Sequence, residues 1–149
     1  MKTTELRIGN SIIYNGGLPE DVDEITIVEI ADIVWLQQNN YEFNKYHKPI
    51  PLTKEWLLKF GFWRWRAGSR SWIINESVLD KIGTTTHRFY LATSSKKYAV
   101  KTGYYYEART GYYPSTFLRY IKYVHQLQNL YFALTGEELE IKTNQNLKL

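Results

Sequence analysis

Cysteine is absent from this sequence. That excludes a disulfide framework, cysteine-ligated zinc, iron–sulfur clusters and a thiol nucleophile. Long apolar runs are missing as well. The opening MKTTELRIGN lacks the apolar core of a signal peptide, and no stretch reaches the length of a membrane span. The expectation is a cytoplasmic protein without a membrane partner. Groups that titrate near neutrality are confined to His47, His87 and His125. No HExxH, GxSxG, Walker or dinucleotide fingerprint occurs. Between residues 43 and 125 the acids are only Glu55, Glu76, Asp80 and Glu107, too few for a carboxylate metal cluster. The sequence therefore predicts a non-enzymatic protein with no cofactor and no metal.

What is present is a chain of 149 residues, 44% hydrophobic and 23% charged, in the range of a folded domain rather than a disordered tract. A chain of this length buries roughly two thirds of its unfolded surface without needing covalent staples. Its aromatic content is high, with 13 Tyr, 5 Trp and 6 Phe, and Tyr and Trp are favoured where one end of a side chain stays wet. Charge is segregated along the chain. Residues 1–42 hold 2 Lys+Arg against 8 Asp+Glu, residues 43–125 hold 15 against 4, and residues 126–149 hold 2 against 3. The net charge of +4 hides a middle block at +11.

The first block reads as short strands. Leu6–Asn10 leads into Ser11–Tyr14, and Asn15-Gly16-Gly17 is a turn signal. Ile25 and Ile27, then Ile30, Ile33 and Trp35, then Tyr41 and Phe43 are β-branched or aromatic positions between polar turns. Together they predict a small SH3-like module over residues 1–48. Pro49-Ile50-Pro51 is a stiff connector. Thr53 is a candidate N-cap for a helix at 54–60, with Leu52 and Leu57 at hydrophobic-staple positions and Gly61 as its stop.

Beyond the helix the pattern predicts antiparallel hairpins: 62–66 with 71–74, and 86–93 with 98–101 around Ser94-Ser95-Lys96-Lys97. Trp63, Trp65 and Trp72 read as core. Thr102-Gly103-Tyr104-Tyr105 recurs as Thr110-Gly111-Tyr112-Tyr113, two aromatic strand ends around a loop. Phe117, Ile121, Val124, Leu127, Tyr131 and Leu134 recur at three- and four-residue steps, a helix at about 120–135 stopped by Gly136. Leu139 and Ile141 read as a closing strand. The predicted class is α+β: an SH3-like β module, a short helix, an antiparallel sheet and one C-terminal helix packed on that sheet. Residues 49–149 form the second domain, separate or sharing one continuous core with the first.

LRIGN at 6–10, PIPLTKEWLLKFGF at 49–62 and YIKYVHQLQNLYFALTGEELEI at 120–141 resemble a group of small uncharacterised proteins from phages and prophages of Bacteroidetes hosts. The resemblance implies a phage-encoded accessory protein acting in the host cytoplasm. It carries over no catalytic or binding residue, and residues 63–119 lie outside it.

That intervening segment holds the candidate ligand site. Arg64, Arg66, Arg88 and Arg109 fall on or beside the predicted hairpins, with Tyr104, Tyr105, Tyr112 and Tyr113 close in sequence. Guanidinium groups pair with phosphate through two parallel bonds, and tyrosine faces stack on bases. The pattern points to a nucleic acid or a nucleotide signal of host defence as ligand, so that the protein would act as an anti-defence sponge. Tyr, Trp and Arg are equally the anchors of protein interfaces, so an inhibitor or adaptor binding a host or phage protein is the alternative. His125 lies among Gln126, Gln128 and Asn129, an amide-rich helix face rather than a metal site. The apolar, aromatic C-terminal helix is compatible with a homo-oligomer.

Overall fold

A computed structural model describes residues 1–18, 21–64, 71–74, 87–94, 97–104 and 116–142. The chain divides into two units, Met1–Leu52 with Tyr123–Leu139, and Thr53–Lys122 with Glu140–Leu149. Both helices and antiparallel sheets are present, and the class is α+β.

In the first unit, β1 (Ser11–Tyr14) is the central strand of three, pairing antiparallel with β2 (Glu24–Ile27) and β3 (His47–Lys48). The turn after β1 needs glycine: Gly17 has φ +91°, and its N–H donates to Asn15 Oδ1 at 3.0 Å. Ile12 on β1 packs with Leu6, Val28, Leu36 and Phe43 to form the core.

Two of the strands expected in this unit are helices. Residues Ile30–Gln38 form α1 and Asn40–Tyr46 form α2. The β-branched residues at 30, 33 and 34 suggested a strand, but Ile30, Ile33 and Leu36 also recur every third residue, the spacing of one helix face. Entry into the helix is fixed by Asp32, whose carboxylate accepts the Glu29 N–H at 2.9 Å. The expected turn at 37–40 is the junction: Asn39 N–H bonds Trp35 C=O at 2.8 Å, and Asn39 C=O accepts Phe43 N–H at 2.9 Å. Burial of Leu36 and Phe43 outweighs the strand propensity of their neighbours. The SH3-like reading lacks these two strands.

The C-terminal helix, α4 (Val124–Thr135), belongs to the first unit rather than to the sheet it was expected to cover. Its amides decide this. Gln128 Oε1 accepts the Ser11 N–H at 2.9 Å, and Asn129 Oδ1 accepts Asn10 Nδ2 at 2.8 Å. Asn10, fully buried, also accepts the Arg7 N–H on its side-chain oxygen. The helix begins four residues later than predicted, because Ile121 still belongs to a strand and Val124 N–H bonds Ile50 C=O. Gly136, at φ +75°, ends it in the left-handed conformation and bonds back to Phe132 C=O. Val124, Leu127 and Tyr131 are buried as expected; Leu134 is 39% exposed, because it lies in the last turn.

The second unit opens with α3 (Lys54–Lys59), capped by the Thr53 hydroxyl, which accepts the Trp56 N–H at 3.5 Å. Gly61, at φ +79°, turns the chain into a sheet of five antiparallel strands in sequence order. These are β4 (Phe62–Arg64), β5 (Ser71–Ile74), β6 (His87–Ser94), β7 (Lys97–Tyr104) and β8 (Thr116–Ile121). The two expected hairpins are present, with β6 and β7 paired through Ser94 and Lys97. Leu139 and Ile141 lie outside any strand among the described residues, where the Lys142 N–H donates to Lys59 C=O at 2.8 Å.

Candidate ligand-binding face of the five-stranded sheet

Side chains alternate between the two faces of a strand, so the strand register divides the second unit's sheet into two sets of positions. One set contains Phe62, Trp72, Leu91, Tyr98 and Ile121, all buried. This is the apolar face. Burial also pushes the Tyr98 hydroxyl above its ordinary pKa.

The other set runs Trp63, Ile73, Tyr90 and Lys101 across four neighbouring strands, with Ser71, Ala92, Ala99 and Tyr120 forming the adjacent row. Trp63 is 40% exposed and Tyr120 53% exposed. Along the β6–β7 hairpin the same set pairs Arg88 with Gly103, Tyr90 with Lys101, Ala92 with Ala99, and Ser94 with Lys97. Three cationic positions therefore alternate with small residues on a strip flanked by exposed rings. Successive positions of one strand on this face lie ~6.6 Å apart.

The residues singled out from the sequence are distributed differently. Arg64 is exposed but takes the register of the buried face, with its guanidinium carbon 5.3 Å from the centroid of the Trp72 ring. Arg88, on β6, belongs to the opposite face. The two arginines thus hold register positions in different alternation sets. Tyr104 ends β7 opposite His87, in register with the buried set. Arg66, Arg109, Tyr105, Tyr112 and Tyr113 lie outside the described residues, as does Trp65.

Trp63 corrects its assignment to the core: Phe62 is the buried residue of β4, so strand alternation turns Trp63 outward. Trp72 is core as expected. Sequence reasoning missed Trp63 and Tyr120 as surface aromatics. The signal for Trp63 was Phe62, directly after the αL glycine. For Tyr120 it was the neighbouring Ile121, buried on the same strand, which turns Tyr120 the other way.

Two of the three histidines are core groups of the first unit. His47 stacks on Phe43 with ring centroids 4.0 Å apart, and its Nδ1 lies 3.0 Å from Phe43 C=O. His125 is 1% exposed, stacks on Tyr123, and neither of its ring nitrogens has a hydrogen-bond partner. Burial lowers its pKa from the ordinary 6.5 to about 4, against an attraction from Glu5 that favours the proton. The amide-rich face beside it is the set of Gln128 and Asn129 bonds that fasten α4. Among the described residues no group of three His, Asp or Glu side chains could hold a metal ion, and no helix is long and apolar enough to cross a membrane.

No protein-family model, curated protein or solved structure matches the chain.

Proposed function

We propose that the protein is a non-enzymatic binding module that takes a phosphate-bearing ligand, a single-stranded nucleic acid or a nucleotide, on the outward face of β4–β8. The supporting observation is the exposure of Trp63 and Tyr120 in the same alternation set as Arg88, Lys97 and Lys101. Exposed rings on a sheet offer stacking platforms for bases, and cations spaced along a strand offer partners for phosphates. The +11 charge of residues 43–125 adds a long-range attraction for polyanions. Small residues at 92, 99 and 103 let a flat ligand approach the backbone. With the resemblance to phage and prophage proteins, this reading makes the protein an accessory factor of the host cytoplasm that sequesters nucleotides or nucleic acid.

The test is binding of a labelled oligothymidylate and of cyclic nucleotides at two salt concentrations. Affinity falls steeply with salt if phosphates are neutralised. Arg88→Ala and Lys101→Ala weaken binding and flatten the salt slope, whereas Trp63→Ala and Tyr120→Ala each lower affinity by about 1–3 kcal/mol at either salt concentration through lost stacking. No binding of any of these ligands at low salt would sink the proposal.

A further inference from the structure

The first unit carries a second surface of opposite charge, at the edge of its sheet. β2 is an outer strand, paired only with β1 among the described residues. Its ladder continues at Val28, whose N–H donates to Asn10 C=O at 2.8 Å and whose C=O accepts Gly9 N–H at 2.9 Å. Backbone groups of an antiparallel strand point alternately to its two sides. With Val28 bonded toward β1, Thr26 and Glu24 are bonded the same way, and the N–H and C=O groups of Ile25 and Ile27 point to the open side.

Both of these side chains are exposed, Ile25 at 53% and Ile27 at 50%, whereas Thr26 between them is partly buried. Natural edge strands are blunted by short length, charged side chains, proline or a bulge. β2 is short and opens on Glu24, but it holds no Lys or Pro, and its register against Ser11–Tyr14 runs without interruption. The ends of the strand are acidic instead. Asp23, Glu24 and Glu29 are exposed around it and Val22 extends its apolar run; Asp23 is already engaged, by the Asn15 amide at 2.9 Å and Lys48 Nζ at 4.0 Å.

We infer that the β2 edge is a docking strand for a cationic, β-branched segment of a protein partner, which adds to the sheet in extended form. Main-chain bonds to Ile25 and Ile27 provide the pairing, and the two isoleucine side chains provide an apolar contact. The exposed carboxylates of Glu24 and Glu29, at the two ends of the strand, favour a segment that carries Lys or Arg at its ends over an acidic one. This surface is independent of the phosphate-binding face, which lies on the other unit and attracts ligands of the opposite charge.

The probe is a peptide, Lys-Val-Thr-Val-Thr-Val-Lys, compared with the same peptide carrying Glu at both ends and with one carrying Pro at both Thr positions. Binding to the full chain is read by anisotropy, and amide exchange is read residue by residue. The cationic peptide should slow exchange at Ile25 and Ile27, while Thr26 is already protected in the free protein. The Glu-ended peptide and the Glu24→Lys variant should each bind at least roughly tenfold more weakly, and the Pro peptide should not protect these amides. Equal binding of the cationic and acidic peptides would overturn the proposal. So would unchanged exchange at Ile25 and Ile27 under saturating cationic peptide. Protection of the two amides that grows with protein concentration alone would assign the edge to a second copy of this chain, and would equally overturn it. The exchange pattern is read on the wild-type chain, so the test stands even if Glu24→Lys is poorly folded.

Discussion

His125 makes the stability of the first unit depend on pH in a defined window. Its imidazole is buried with both nitrogens unpartnered, so charging it would place a cation in an apolar site. The folded pKa is about 4, against an ordinary value of 6.5. Above pH 6.5 the ring is neutral whether the chain is folded or unfolded, and the difference contributes nothing. As pH falls from 6.5 towards 4, the unfolded chain binds a proton that the folded chain refuses, and stability falls with it. The loss is about 2 kcal/mol at pH 5 and approaches about 3 kcal/mol below pH 4. Nearby charges act in opposite directions: Glu5 favours the proton and the Met1 amine opposes it.

The assay is urea unfolding at pH 7.5, 6 and 5, followed by tryptophan fluorescence, for wild type and His125→Leu. An unpartnered polar group in a core is a desolvation penalty, so leucine should leave stability at pH 7.5 within about 1 kcal/mol of wild type or raise it. It should also flatten the profile between pH 7.5 and 5. Carboxylates begin to titrate in the same window, and the leucine variant subtracts them. A flat wild-type profile, or a leucine variant with the wild-type slope, would refute the reasoning. So would a His125 pKa near 6.5 in a histidine NMR titration.

Truncation separates the two leucines of the α4 stripe: Leu127→Ala, at a fully buried site, should lose about 2–5 kcal/mol, and Leu134→Ala, half-exposed, less than about 1 kcal/mol, both read by urea unfolding. Gln128→Leu leaves the buried Ser11 N–H without its acceptor and should lose about 1–3 kcal/mol in the same assay. Gly136→Ala meets no steric neighbour but must adopt φ +75°, so its loss of about 1 kcal/mol in thermal unfolding reports backbone strain alone. Arg7 holds both carboxylate oxygens of Glu138 at 2.6 and 2.7 Å, which lowers the Glu138 pKa. The pair is largely solvated, so Arg7→Met should lose no more than about 1 kcal/mol at pH 7, and the difference should vanish as pH falls through the depressed Glu138 pKa.

Elements whose ends carry their own chemistry were legible in the sequence. Thr53 and Gly61 bracket α3, Gly136 ends α4, and β6 pairs with β7 from Ser94 opposite Lys97, because each signal is satisfied within a few residues. What was not legible depends on distant partners. Residues 30–35 are β-branched and aromatic enough to pass for a strand, and the burial of Leu36 beside Ile12 and Phe43 adds to the local Asp32 cap in favouring the helix. The attachment of α4 was equally hidden. Its apolar stripe would suit many surfaces, whereas the specificity lies in Gln128 and Asn129 meeting the polar atoms of Ser11 and Asn10, more than a hundred residues away.

The candidate site turned on a single-residue question of parity. From the sequence Trp63 reads as core, which by strand alternation puts Arg64 on the outer face. The buried ring of Phe62 reverses the assignment, and a one-residue change of register moves every side chain of a strand to the other face. With parity fixed by Phe62, Trp72 and Leu91, the alternation set that holds the exposed Trp63 and Tyr120 also holds the register positions of residues 88, 97 and 101. The same two-residue period in β2 gives Ile25 and Ile27 both exposed side chains and open backbone groups. Composition alone records only acidic and basic blocks. Strand order makes β2 an outer strand, and strand alternation divides the five-stranded sheet into its two sets of positions.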